Sequence, residues 1–131
     1  MRSILAVFLG GAVGTGIRLL LDATIHHSDQ EFPLDTLLIN IVGSLVLAIL
    51  VTRLWPLVPD WLRAALGPGL VGGFTTFSAV MVSMVTLAAS AQVTLALVYL
   101  ALSLVLGFGA AALGFWIGRR RDREPTVEVD E

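Results

Sequence analysis

The sequence predicts an all-α integral membrane protein with four transmembrane helices, the third of them broken near its middle. Three observations lead there. The 131 residues are 56% hydrophobic and 14% charged, with a mean hydropathy of +0.90, where a soluble domain is about 45–50% apolar and about 25% charged. The few charges are gathered at isolated points, which leaves gaps wide enough for helices of roughly 20 apolar residues to cross a hydrocarbon core of about 30 Å. Within one gap, glycines, a proline and hydroxyl residues crowd together from Gly67 to Ser78. The same numbers exclude other classes. So few charges and so much apolar surface argue against disorder. The chain has no Cys, hence no disulfide framework and no thiolate metal site. Its net charge of -2 and its arginines at segment ends leave no basic face for nucleic acid.

The first span is expected at about residues 3–21. Arg2 before an apolar run resembles a secretory signal, but Arg18 lies inside the run and no small-x-small cleavage site follows it. Gly10, Gly14 and Arg18 stand four apart, so they share one helix face open to close backbone approach. An arginine there is costly unless it meets water, an anion or a partner, and Asp22, four residues on, is a candidate partner. The glycine run lacks the order and the preceding strand of a dinucleotide site. A polar connection from Asp22 to Asp35 follows, in which His26 and His27 read as solvated residues rather than ligands.

The second span is expected at about 34–54. Thr36, Asn40 and Ser44, again four apart and joined by Gly43, form a polar stripe that either bonds a neighbouring helix or lines a substrate path. Pro56 and Pro59 end it. From Ala64 to Gly118 there is no charge, too long a run for one crossing, so a third span at about 64–88 and a fourth at about 93–118 share it, with a turn at Ala89–Gln92. In the third, Gly67 to Ser78 predicts an interrupted helix, with a plain kink as the alternative. Unwound backbone is tolerated at that depth only inside protein or beside a cavity, and its carbonyls suit a hard cation while half-helix N-termini suit an anion. The fourth carries Tyr99 and Ser103. Trp55, Trp61 and Trp116 fall at interfacial depth, and residues 119–131 form a charged tail.

Orientation follows from arginine. Arg2, Arg53, Arg63, Arg119, Arg120, Arg121 and Arg123 lie on the side shared by both termini and the second loop, and the other two loops have none. Cytoplasmic segments accumulate positive charge, so both termini are expected in the cytoplasm.

Gly10-Gly11-x-x-Gly14-x-x-x-Arg18, Thr36-x-x-x-Asn40-x-x-Gly43-Ser44 and Gly72-Gly73-x-Thr75-Thr76-Phe77-Ser78, in this order along a four-span chain, resemble the Fluc/CrcB fluoride channels. The resemblance covers all four spans. It implies a passive, fluoride-selective channel that rids the cytoplasm of the toxic anion, in a bacterial plasma membrane, as a dimer of two antiparallel subunits with two pores. It also implies a structural sodium ion at the dimer centre, held by main-chain carbonyls that match Gly72 and Thr75 here. Asn40 would donate hydrogen bonds to fluoride and Phe77 would present its ring edge. Arg18 would draw anions into the vestibule, and Thr36, Ser44, Tyr99 and Ser103 would extend the polar path. The chemistry is compatible: a dehydrated fluoride needs donors, an aromatic edge is partly positive, and neutral donors release what they bind. A single four-helix subunit fills its own core with side chains, so a second subunit is needed to enclose a pore.

Three features depart from the family pattern. Val80 stands where a second Phe is usual, Gly107 where a polar residue is frequent, and the arginine asymmetry is unlike that of a chain inserting both ways. One explanation covers all three: the chain is half of a heterodimer whose partner has the opposite orientation, with a degenerate homodimer as the rival. Two other classes compete. A small multidrug-type exporter needs a titratable group in the membrane, and Asp22 is the one acid near the end of a span. A non-transporting four-span subunit predicts that Asn40→Ala changes no flux. No nucleophile, base and metal ligands converge, so an enzyme is not expected.

Overall fold

The computed structural model describes residues 1–24 and 32–119; His26, His27 and the tail beyond Arg119 lie outside them. Among the described residues the regular structure is helical. Four stretches are long and apolar enough to cross a membrane: Arg2–Thr24, Leu34–Leu57, Asp60–Ala89 and Val93–Arg119. Their large side chains, among them Phe8, Leu20, Val85, Val105 and Phe108, point outward. In water each would forgo about 1.5–3 kcal/mol of burial; in hydrocarbon that term vanishes, which is how so thin a core can hold.

The second span is α-helical to Ile49, widens into π-turns over Leu50–Leu54 and tightens at Trp55–Leu57 before Pro59. The third starts at Asp60, whose carboxylate sits at the positive helix N-terminus. It widens over Ala65–Val71 around Pro68, which has no N–H to return to the preceding turn. One more α-turn, Gly72–Phe74, ends in two extended residues, Thr75 and Thr76, and the helix resumes as Phe77–Ala89. This is the break. A turn with Ala91 in the left-handed region (φ 60°) leads into the fourth span.

Packing pairs the spans as first with the upstream half of the third, and second with fourth. In the first pair the glycine face is in use: a methyl added at Gly10 or Gly14 would fall on the carbonyl oxygen of Ala65 or Leu70. In the second, Gly114 and Gly118 meet the backbone at Leu45 and the Thr52 side chain. Arg53 donates to the carbonyl of Ile117 (2.7 Å) and so satisfies one acceptor at the C-terminus of the fourth span. A small core of Leu37, Val80 and Tyr99 lies where the downstream half of the third span meets the second and fourth. The Phe32 ring stands edge-on to Tyr99, with centroids 5.4 Å apart and planes at 90°.

Candidate functional site

The break in the third span is held by one side chain from the second. The Asn40 amide spans both polar groups of the Thr76 peptide: its Nδ2 donates to the Thr76 carbonyl (3.0 Å), and its Oδ1 accepts from the Thr76 N–H (2.8 Å). In an uninterrupted helix that N–H would close on the carbonyl of Gly72. A second diversion follows three residues later. The Thr76 hydroxyl accepts from the Ala79 N–H (3.2 Å) and caps the resumed helix, so this N–H does not return to Thr75. The carbonyls of Gly72 and Thr75 are thus two whose helical donors are engaged elsewhere. Gly72 is exposed and Thr75 half-buried. Between them, the Gly73 carbonyl accepts a long bond from the Thr15 hydroxyl (3.4 Å). The Thr75 hydroxyl and amide both return to Val71 (2.9 Å each). Gly43 makes this geometry possible, since a methyl there would overlap the γ-methyl of Thr75.

Around the clamp is an open cavity of about 230 Å³ lined by Asn40, Gly43, Ser44, Val71, Thr75, Thr76 and Phe77 among others. The Phe77 ring is 67% exposed at its rim. Ser44 also lines a neighbouring cavity of about 260 Å³ with Ser103, Gly107 and Phe108. It therefore stands between the clamp and the fourth span.

The second polar region is enclosed. Tyr99 is fully buried (0% exposed) and Thr36 nearly so. The hydroxyls of Ser103, Ser83 and Thr36 face that of Tyr99, and the Asp35 carboxylate acts on it from the start of the second span. Yet the Tyr99 Oη and Ser103 Oγ atoms are buried with no well-formed hydrogen bond. Buried polar groups are usually paired, so these hydroxyls, close to one another without a bond of good geometry, stand out in an otherwise apolar interior.

The stripe read from spacing therefore divides. Asn40 turns to the break, Thr36 to Tyr99, and Ser44 lines both cavities. Phe77 and Val80 divide too: Val80 is 3% exposed, packed in the Leu37–Tyr99 core, while Phe77 faces outward. Arg18 is half-buried with its Nε unpartnered. The candidate pair with Asp22 does not form, whereas Arg63 pairs with Asp60 (3.2 Å). Three residues escaped the sequence reading. Thr76 offers its backbone to Asn40, and the signal available was a Thr at a helix start. Ser83 was a lone hydroxyl in an apolar run, between Val82 and Met84. Asp35, taken as the edge of the second span, lies in its first turn and is 3% exposed. No cluster of three His, Cys, Asp or Glu occurs among the described residues, so a cation at the break would meet main-chain oxygens.

The family model described as "CrcB-like protein, Camphor Resistance (CrcB)" matches residues 5–115. "Fluoride-specific ion channel FluC 1" of Leifsonia xyli subsp. xyli is 43% identical over 119 residues, covering 88% of this chain and 85% of that protein. "Fluoride-specific ion channel FluC 2" of Halalkalibacterium halodurans is 40% identical over 129 residues, 95% of this chain and 94% of that protein. The protein of the same name from Bacillus subtilis is 42% identical over 125 residues, 92% and 90% respectively.

Proposed function

We propose that this chain, which belongs to the CrcB family, is a passive fluoride-selective channel that lets the anion leave the cytoplasm. Its relatives are named as fluoride-specific ion channels, and such proteins are channels rather than enzymes. The observation that carries the reading to particular residues is the pair of buried hydroxyls of Tyr99 and Ser103 without a well-formed bond, with Ser44 lining both the Ser103 cavity and the Asn40 clamp cavity. Fluoride is small, strongly hydrated and an acceptor only. A path must repay its lost water with O–H, N–H and ring-edge C–H groups, and neutral ones release it again. Tyr99, Ser103 and Thr36 offer hydroxyls, the second N–H of the Asn40 amide is not engaged by Thr76, and Phe77 offers its edge. Arg18, half-buried in the first span, biases entry toward anions.

The assembly we infer is an antiparallel dimer. The walls of the clamp cavity are open on one side and Phe77 projects from them, so a second subunit is required to enclose a path. A sodium ion at the dimer centre fits the diverted carbonyls of Gly72 and Thr75, which would hold it through main-chain oxygen alone. The ion would supply positive charge that ties two breaks together. The arginine asymmetry favours a plasma-membrane protein with both termini cytoplasmic, hence a partner chain of opposite orientation. Val80, enclosed in its own core, fits a pairing in which that partner contributes the second aromatic.

The test is fluoride efflux, against chloride, from liposomes holding the chain alone and then the chain with a paralogue of opposite arginine bias. Flux alone supports the channel and sinks the obligate heterodimer. Flux with the paralogue only supports the paired form. Silence in both turns the reading to a non-transporting subunit.

A further inference from the structure

We propose that the start of the first span binds one anionic phospholipid, with the phosphate on Arg2 and the two acyl chains in the grooves on either side of Leu5. Two cavities open at this end of the molecule, of about 540 Å³ and about 430 Å³, and Arg2 and Leu5 line both. The first runs past Ile4 and Phe8, which stand four apart on one helix face. The second runs past Leu9 to Trp61, at the start of the third span, which packs beside the first. Arg2 and these apolar side chains are all exposed.

Charge and shape together select the occupant. Arg2 is permanently cationic, and among the described residues no carboxylate pairs with it; Asp60, next to Trp61 in sequence, pairs with Arg63 (3.2 Å). A guanidinium fork matches the oxygens of a phosphate. An arginine at a span end reaches the headgroup layer in any case, so the charge alone would make no site. The site comes from the grooves: two apolar channels part from one cation, as two acyl chains part from one phosphate. Leu5 is the ridge between them, and Trp61 walls the second at the depth where indole rings meet headgroups. A free phosphate would leave both grooves unused, and a zwitterionic headgroup would set its own ammonium against Arg2.

The experiment titrates the full chain in detergent with dioleoylphosphatidylglycerol, dioleoylphosphatidylcholine and single-chain lysophosphatidylglycerol, and counts bound lipid by native mass spectrometry. The anionic lipid with two chains should bind tightest. Arg2→Gln should weaken phosphatidylglycerol about fivefold, the share of one basic residue at a membrane surface, and leave phosphatidylcholine unchanged. Leu9→Trp fills the second groove and should bring phosphatidylglycerol toward the affinity of its lyso form, which it leaves unchanged. Both side chains face outward, so the fold is kept, and the wild-type comparison of the three lipids stands without either variant. Equally tight binding of phosphatidylcholine or of the lyso lipid overturns the inference, as does unaltered phosphatidylglycerol binding in Arg2→Gln or in Leu9→Trp. None of these outcomes touches the channel reading, since the site shares no residue with the clamp or the hydroxyl cluster.

Discussion

Two polar regions within one subunit are built on opposite terms. At the break, the N–H groups an interrupted helix sets free are taken up again, that of Thr76 by the Asn40 amide oxygen and that of Ala79 by the Thr76 hydroxyl. In the enclosed cluster, the Tyr99 and Ser103 hydroxyls are buried among other hydroxyls without a well-formed bond. The first arrangement fixes shape and the second stores binding capacity. The distinction matters because both are made of polar side chains that sequence alone would treat alike.

Asn40→Ala tests the first term most severely. It removes two hydrogen bonds, worth about 1 kcal/mol each and more if the Thr76 groups stay unsatisfied, and lets the third span relax toward a continuous helix. Fluoride efflux from liposomes should fall by roughly 100-fold or more, together with a lower melting temperature in detergent. Retained efflux would show that the clamp is dispensable. Tyr99→Phe addresses the second term and should separate activity from stability. Efflux should drop by roughly tenfold, while the melting temperature holds or rises, since an unpaired buried hydroxyl is removed. A large loss of stability would mean that the hydroxyl is structurally bonded and the contrast false. Val80→Phe adds volume to the core that Tyr99 shares, at a cost of about 1–3 kcal/mol, readable as a drop in melting temperature. No drop would show that the cluster has room. The smallest effect belongs to Thr76→Val, which deletes a helix cap worth about 1 kcal/mol. It should lower the melting temperature by a few degrees and leave the Asn40 clamp, made to the Thr76 backbone, in place.

The fold class was legible because hydrocarbon imposes it: uncharged runs of sufficient length have few alternatives to helices. The interruption of the third span was legible from Gly72, Gly73, Thr75 and Thr76, residues that give up helical order cheaply. What spacing could not reveal was destination. Thr36, Asn40 and Ser44 share a helix face by periodicity, yet their side chains serve different neighbours, because the partners are set by where the third and fourth spans pack. Asp35 was misjudged for a similar reason: a charge at the end of an apolar run looks like the water's edge, and whether a neighbouring helix covers it is a tertiary fact. The Arg18–Asp22 pair failed because spacing permits an ion pair without requiring one.

The clamp spans 36 positions of sequence, from Asn40 to Thr76, and this bears on how the protein is made. A span entering lipid by itself has to satisfy its backbone internally. The third span therefore has reason to cross first as a continuous rod and to open only when the second lies beside it to receive the Thr76 peptide. On that argument the interruption is completed on assembly, and a chain lacking its second span would lose the Asn40 amide that holds the Thr76 peptide open.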